Sequence, residues 1–374
     1  MTDPRLSKLA KVLVTYSIGA KPGQLIRITG GTIAEPLIIE LTREILAAGA
    51  HPAIFMTPDE VAEMFYKNAN DEQLKYISPI TWAMVEKIDA SIGIWASKNT
   101  KALSNCDPIK QAISSAALRP YKDKFFERAA KGDLKWCGTQ YPCPAHAQDA
   151  EMSLDEYEDF VYNAGLLSEP DPAAAWKKIA QCQQRLADFL NTKREVHITT
   201  PQGTDIRFAV EGRTWINCCG HENFPDGEVF TGPIEDSSEG TVAYSFPAAH
   251  GGREVPDIVL TYKNGKVVDA HASKNEDYLI KMLDQDAGSR ILGELAFGCN
   301  YSITKYTKNT LFDEKIGGTF HTAVGSGYPE TGSKNQSGLH WDMVCDLRKG
   351  GKIYVDNELI SENGKFLNPQ WPGN

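Results

Sequence analysis

The chain has 374 residues, 41% of them hydrophobic and 24% charged, with 49 acidic side chains against 39 basic ones and a formal net charge of −10. That balance, with no run of Lys or Arg, excludes a basic arm or stripe and with it nucleic acid as the main partner. Met1-Thr-Asp-Pro-Arg5 opens without the charged-then-apolar pattern of a leader, and no stretch of about 18 apolar residues follows. The reading is a soluble cytoplasmic protein with no membrane partner.

A chain this long exceeds the roughly 250 to 300 residues that one core commonly reaches, so two domains are expected. Eight cysteines, two of them adjacent at Cys218 and Cys219, are too few for a disulfide scaffold and read as reduced, mostly buried thiols.

In chain order, an amphipathic helix is predicted over Leu6 to Ile18 and a strand over Leu25 to Thr29. Thr29-Gly30-Gly31-Thr32 then reads as a tight turn into a helix from Ala34 to Ala48, capped by Gly49. It is not the GxGxxG of a dinucleotide site. A strand at Pro52 to Met56, a helix opened by Pro58, a strand at Ala90 to Trp95, one long helical stretch from Pro108 to Ala130 and a strand at Leu134 to Cys137 follow. Strands separated by helices imply a largely parallel sheet covered on both faces. Cys137, Cys143 and His146 have the wrong spacing for a zinc knuckle and read as a chance grouping.

Beyond the loop-like Leu167 to Pro172, Ala173 to Leu190 has the composition of a connecting helix, and a domain boundary is placed at its end. The expected organisation is an α/β domain over 1–190 and a mainly antiparallel β (α+β), metal-binding domain over 191–374. Period-two segments support the second part: Glu195 to Thr199, Asp205 to Val210, Ile258 to Tyr262, Lys266 to Ala270, His340 to Leu347 and Lys352 to Leu359. Asn264-Gly265 is a two-residue hairpin signal.

The chemistry concentrates in the last third. In Leu339-His340-Trp341-Asp342-Met343, His340 and Asp342 alternate with apolar residues, so on a strand both side chains share one face, roughly 7 Å apart, and can reach one cation. Alone, such a pair is common on solvent-facing strands. His321 lies in Gly-Thr-Phe-His321-Thr-Ala, shortly after Asp313-Glu314, and Glu294 interrupts the apolar run Ile291 to Phe297. A carboxylate in such a run is costly to bury unless paired or bound to metal, even if Leu292, Glu294 and Ala296 share one side. Glu228 follows a Pro-Asp-Gly turn at the start of a strand. Glu228, Glu294, Glu314, His321, His340 and Asp342 make a set of four carboxylates and two imidazoles, which suits two divalent ions.

The ordered blocks Pro-Asp-Gly-Glu228-Val-Phe-Thr-Gly-Pro, Leu-Gly-Glu294, Leu-Phe-Asp-Glu314, His321-x-Ala-x-Gly and Asn-x-Ser-x-x-His340-x-Asp342 resemble those of the M29 metallo-aminopeptidases. The resemblance covers the second domain in motifs and the first in architecture. It implies a cytoplasmic homodimeric exopeptidase acting on peptides with a free N-terminus. Two ions (Zn²⁺, Co²⁺ or Mn²⁺) would be held by the six residues, with Glu294 bridging. Glu294 or Glu314 would handle the proton, and Tyr328 would sit over the reacting carbonyl. Six residues separate Glu314 from His321, a longer gap than in the best-known members, so Asp313 stands as the alternative to Glu314. A different reaction class is a mononuclear Fe(II) dioxygenase opening hydroxylated pyridines, with His321, His340 and Asp342 as its triad.

Overall fold

The structure, a computed structural model, describes residues 3–373. The chain divides into two compact units: residues up to Ala173 with Gly220–Pro225, and Ala174–Cys219 with Asp226 onward. The first is α/β and the second is built on antiparallel sheets, as the patterns predict.

In the first unit a five-stranded parallel sheet runs in the order His51–Thr57, Leu25–Gly31, Ala90–Trp95, Lys135–Gln140, Asn223–Phe224. Three local expectations are corrected. The strand expected to turn at Gly30-Gly31 continues through them, because both pair in the ladder with Met56 and Thr57; a 3₁₀ turn at Thr32–Ala34 then leads into the helix Glu35–Ala47. The helix expected over Pro108 to Ala130 is two, Pro108–Ala117 and Arg119–Ala130. Pro120 lacks the N–H an unbroken helix would require there, and its ring clashes with the preceding turn. The first helix is α only over Pro4–Val12; a π turn at Leu13–Ser17 closes it, with Ile18 N–H donating to Leu13 O.

The second unit packs an eight-stranded antiparallel sheet and a five-stranded one around a single core. Val196, Ile198, Ile206, Phe208 and Val242 enter it from the larger sheet; Leu295, Phe297, Phe320, Val324, Trp341 and Met343 enter from the smaller. Asn264 and Gly265 both adopt left-handed φ, 49° and 76°, forming the predicted hairpin turn. The strand expected over Lys352 to Leu359 is instead a hairpin, Lys352–Val355 and Glu358–Glu362, because Asp356 and Asn357 take φ of 48° and 67°, which short polar side chains tolerate.

The smaller sheet, ordered His340–Asp346, Thr319–Gly325, Leu292–Gly298, Glu228–Thr231, Ile216–Cys218, positions the chemistry. Alternation sends Trp341, Met343, Phe320, Val324, Phe297 and Val229 into the core, so His340, Asp342, His321, Ala296 and Glu228 take the other face. One expectation fails here. Leu292 does not share a side with Glu294: a bulge at Gly293 shifts the register, Leu292 joins the core, and Glu294 pairs with Ala323 on the opposite face. Gly293 is required at this place, since a Cβ would lie 2.2 Å from the Ser326 carbonyl oxygen.

The entry to the His340 strand is tied down by Asp286. Its Oδ2 accepts from Gly338 N (2.7 Å), and its Oδ1 accepts from Ser337 Oγ (2.8 Å), Ser289 Oγ (3.0 Å) and Gly288 N (2.9 Å). These bonds, led by Gly338 N–H, hold its carboxyl down at about 2.

Two outcomes follow from this architecture. Gly293→Ala forces the bulge apart and should cost about 1–3 kcal/mol, read from the urea midpoint, while loosening metal retention because Glu294 loses its aim. Asp286 has a folded pKa below its unfolded one, so its stabilisation is complete above about pH 4 and fades as pH falls toward 2. The stability gap between wild type and Asp286→Asn should therefore narrow over that window; a gap that stays constant through it would contradict the assignment.

Candidate metal centre

Strand register places the side chains two residues apart on neighbouring strands. Ala296 pairs with His321 on one side and Phe230 on the other, and Ala323 pairs with Glu294 and Asp342. The two alanines leave room between the longer polar groups, which meet above them.

Glu294 is the centre of the cluster. Its Oε1 lies 3.2 Å from His321 Nε2 and its Oε2 lies 3.4 Å from His340 Nε2. Glu228 Oε2 is 3.6 Å from His321 Nε2, and Asp342 Oδ1 is 3.5 Å from His340 Nε2. Two groups of three donors result, Glu228–Glu294–His321 and Glu294–His340–Asp342, each with its ligand atoms within 4.8 Å of one another and with Glu294 common to both. Glu314 faces Asp342 and Glu228, and its Oε2 takes a 2.8 Å ion pair from Lys315. The structure thus brings all six residues named from the sequence to one place. Tyr328, exposed at the edge, sets its ring 5.3 Å from that of His340 and 5.3 Å from that of Phe230.

Asp313 is the rival that geometry disposes of differently. Its Oδ1 accepts from Thr307 N and Oγ1 at 2.7 and 3.0 Å, and its Oδ2 accepts from Asn309 N at 2.8 Å. Both oxygens bind their own loop, while Glu314 is the acid turned toward the cluster. Burial lifts the Asp313 carboxyl to about 7 against those bonds.

The electrostatics are those of a site short of positive charge. Burial disfavours a charged Glu294, but hydrogen bonds from His321 and His340 outweigh it and hold the carboxyl below its usual range. Burial likewise opposes charge on the imidazoles, yet Glu294 and Glu228 push His321 up to about 9, and Asp342 and Glu294 push His340 up to about 12. Burial drives Glu314 well above the ordinary carboxylate range; Lys315 pulls it down and Asp342 and Glu228 push it further up.

A divalent ion fits this donor set. Glu228 Oε2 and Asp342 Oδ1, one from each three-donor group, are buried without a hydrogen-bond partner, a costly state that a cation relieves. His340 Nδ1 lies 2.8 Å from the Ser326 carbonyl oxygen, to which it donates, so its Nε2 is left to face the carboxylates. Carboxylate and imidazole donors suit borderline and hard divalent ions.

Four contributors carry no signal in the sequence. Lys315 is buried with its Nζ 3.3 Å from Glu228 Oε1, although a lysine after an acidic pair reads as surface. Gln183, on the helix Pro172–Leu190, backs the site sheet by donating to the carbonyls of Cys218 and Glu228 at 2.8 and 3.0 Å. Cys218 and Asp226 lie close enough to Glu228 to form a third acidic grouping, but burial pushes the thiol well up and keeps it neutral. Cys137, Cys143 and His146 form no such grouping among the described residues, and none of the eight cysteines there forms a disulfide.

Aminopeptidase T of Thermus aquaticus is 30% identical over 291 residues, 70% of this chain and 68% of that protein. The structure of wild-type AmpT from Thermus thermophilus superposes with a TM-score of 0.86 at 24% identity, covering 97% of this chain and 99% of that one. A 2,5-dihydroxypyridine dioxygenase from Pseudomonas putida KT2440 superposes at 0.60 with 14% identity over 97% of each chain, a likeness of fold. The profile described as thermophilic metalloprotease (M29) matches residues 2–366, and the chain belongs to that family.

Proposed function

We propose that this protein is a metal-dependent aminopeptidase that takes peptides by their free N-terminal amine and hydrolyses the first peptide bond with two divalent cations, Zn²⁺, Co²⁺ or Mn²⁺. The observation that carries this reading is the shared position of Glu294, whose two oxygens face two separate three-donor groups. Bound there, the cations supply Lewis acidity and lower the pKa of water from about 15.7 toward 7.

The chain's own residues supply the rest. Glu228 and His321 frame one side of Glu294, and His340 and Asp342 frame the other. Glu294 or Glu314 accepts the proton from the attacking water and returns it to the departing amine, the acid-base role that a buried carboxylate with neighbouring imidazoles can fill. Tyr328, at the edge beside His340, donates its hydroxyl hydrogen to the oxygen that becomes negative on attack. The N-terminal ammonium of the substrate meets a carboxylate-rich surface, whereas an acylated nitrogen carries no charge for that surface to accommodate.

The dioxygenase reading draws on His321, His340 and Asp342, but Glu228, Glu294 and Glu314 add three carboxylates to the same cluster, more than a facial triad uses. Among the described residues no helix is long and apolar enough to cross a membrane. A cytoplasmic location and a homodimer complete the proposal, on the strength of the family resemblance.

Leu-p-nitroanilide should be hydrolysed, the activity should vanish with a chelator and return with Co²⁺, Zn²⁺ or Mn²⁺, and the N-acetylated compound should stay intact. Comparable turnover of the blocked compound would remove amine recognition; oxygen uptake with a hydroxylated pyridine would favour the other chemistry. Tyr328→Phe should lower kcat by about 10²- to 10³-fold with little change in KM, as expected for a donor used only when charge develops.

A further inference from the structure

Lys315 is the least expected member of the cluster. Its side chain is 2% exposed, and its Nζ pairs with Glu314 Oε2 at 2.8 Å and Glu228 Oε1 at 3.3 Å. It cannot withdraw easily: its N–H donates to the Phe312 carbonyl and its own carbonyl accepts from Asn300 N, both at 3.0 Å, which fixes the backbone beneath the site. A buried ammonium deprived of its anionic partners is strongly disfavoured, so the two pairs persist.

We propose that Lys315 makes the two cation positions unequal: the one framed by Glu228, Glu294 and His321 holds its ion weakly and exchangeably, while the one framed by Glu294, His340 and Asp342 holds its ion tightly. This rests on the two-cation reading above and deepens it. Lys315 occupies Glu228 Oε1, leaving only Oε2 to face His321 and so limiting Glu228 to one coordinating oxygen. It also sets a permanent positive charge one carboxylate away from the first position, in an interior where salt screens little.

The second position has no such direct contact. Among the described residues, the ion pairs of Asp342 and Glu294 are with the imidazoles, not with Lys or Arg, and Lys315 reaches Asp342 only through Glu314, which hydrogen-bonds it. The histidines differ in the same sense. His340 is oriented by the Ser326 carbonyl on Nδ1, which raises the basicity of a ligand imidazole, whereas His321 Nδ1 is buried without an acceptor. Two independent features therefore weaken the same position.

The test is a titration of the metal-stripped full chain with Mn²⁺, following free ion by electron paramagnetic resonance. Wild type should show two dissociation constants at least about 100-fold apart, given a fixed positive charge directly on a carboxylate of only one position in a poorly screened interior. Lys315→Met should tighten the weaker one at least about 10-fold, and Lys315→Arg, which keeps the charge, should leave the gap in place. Two equal constants in wild type, or a gap unchanged in Lys315→Met, would overturn the proposal. Should Lys315→Met fail to fold, the wild-type titration decides together with His321→Ala, which should lose the weak ion and keep the tight one; loss of the tight ion instead would refute it. Two unequal ions in a protein that leaves Leu-p-nitroanilide intact would support the inequality and sink the peptidase reading.

Discussion

Four carboxylates gathered over one face of a sheet whose other face is the hydrophobic core, three of them on its strands and Glu314 on the helix end beside it, constitute the constraint on which the second unit is built. Glu228, Glu294, Glu314 and Asp342 repel one another in a setting that water screens poorly, and such a cluster is stable only with cations among its members. The chain supplies one itself, in Lys315, and the carboxylates draw the imidazoles of His321 and His340 toward their charged forms against the cost of burial. A divalent ion answers the same demand, and it would take the imidazoles in their neutral form.

The sheet makes this concentration of charge possible at fixed geometry. Antiparallel pairing puts His321 opposite Ala296, and Asp342 and Glu294 opposite Ala323, so no two charged side chains face each other directly across a ladder. The large residues on the reverse face, Phe297, Phe320, Trp341 and Met343, fill the core and hold the strands. The bulge at Gly293 adds the one irregularity, letting Leu292 and Leu295 both enter the core while Glu294 stays on the polar face. Binding geometry is thereby tied to core packing rather than to loops.

Much of this was legible in the residues. His340-x-Asp342 shares a face because strands alternate, and Glu294 is anomalous because a carboxylate interrupts an apolar run. Neither inference needs tertiary information. What escaped was set by register and by distance along the chain. The Gly293 bulge depends on the Ser326 carbonyl 33 residues later, and the burial of Lys315 depends on Glu228, 87 residues earlier. The choice between Asp313 and Glu314 turned on whether the loop at Thr307 and Asn309 would claim one of them with its N–H groups, which neighbouring identities alone do not decide. In the first unit, the Pro108 to Ala130 stretch has helical composition throughout, yet one proline, Pro120, divides it, and that signal lies in the sequence itself.

Asp313 and Glu314 also show how adjacent identical chemistry is sorted into different tasks. The short helix Thr310–Asp313 ends between them, so Asp313 points back at the N–H groups that precede the helix while Glu314 leaves its end toward the sheet. One acid closes the loop and the other, with Lys315 beside it, reaches the cluster. Between Glu314 and His321 the chain passes through Ile316, Gly317 and Gly318, where Ile316 bridges to Asn300 and a left-handed Gly318 turns the chain into the His321 strand. Glu314 keeps its place against Glu228 and Asp342 because the Lys315 backbone is bonded to Asn300 at the foot of the same sheet.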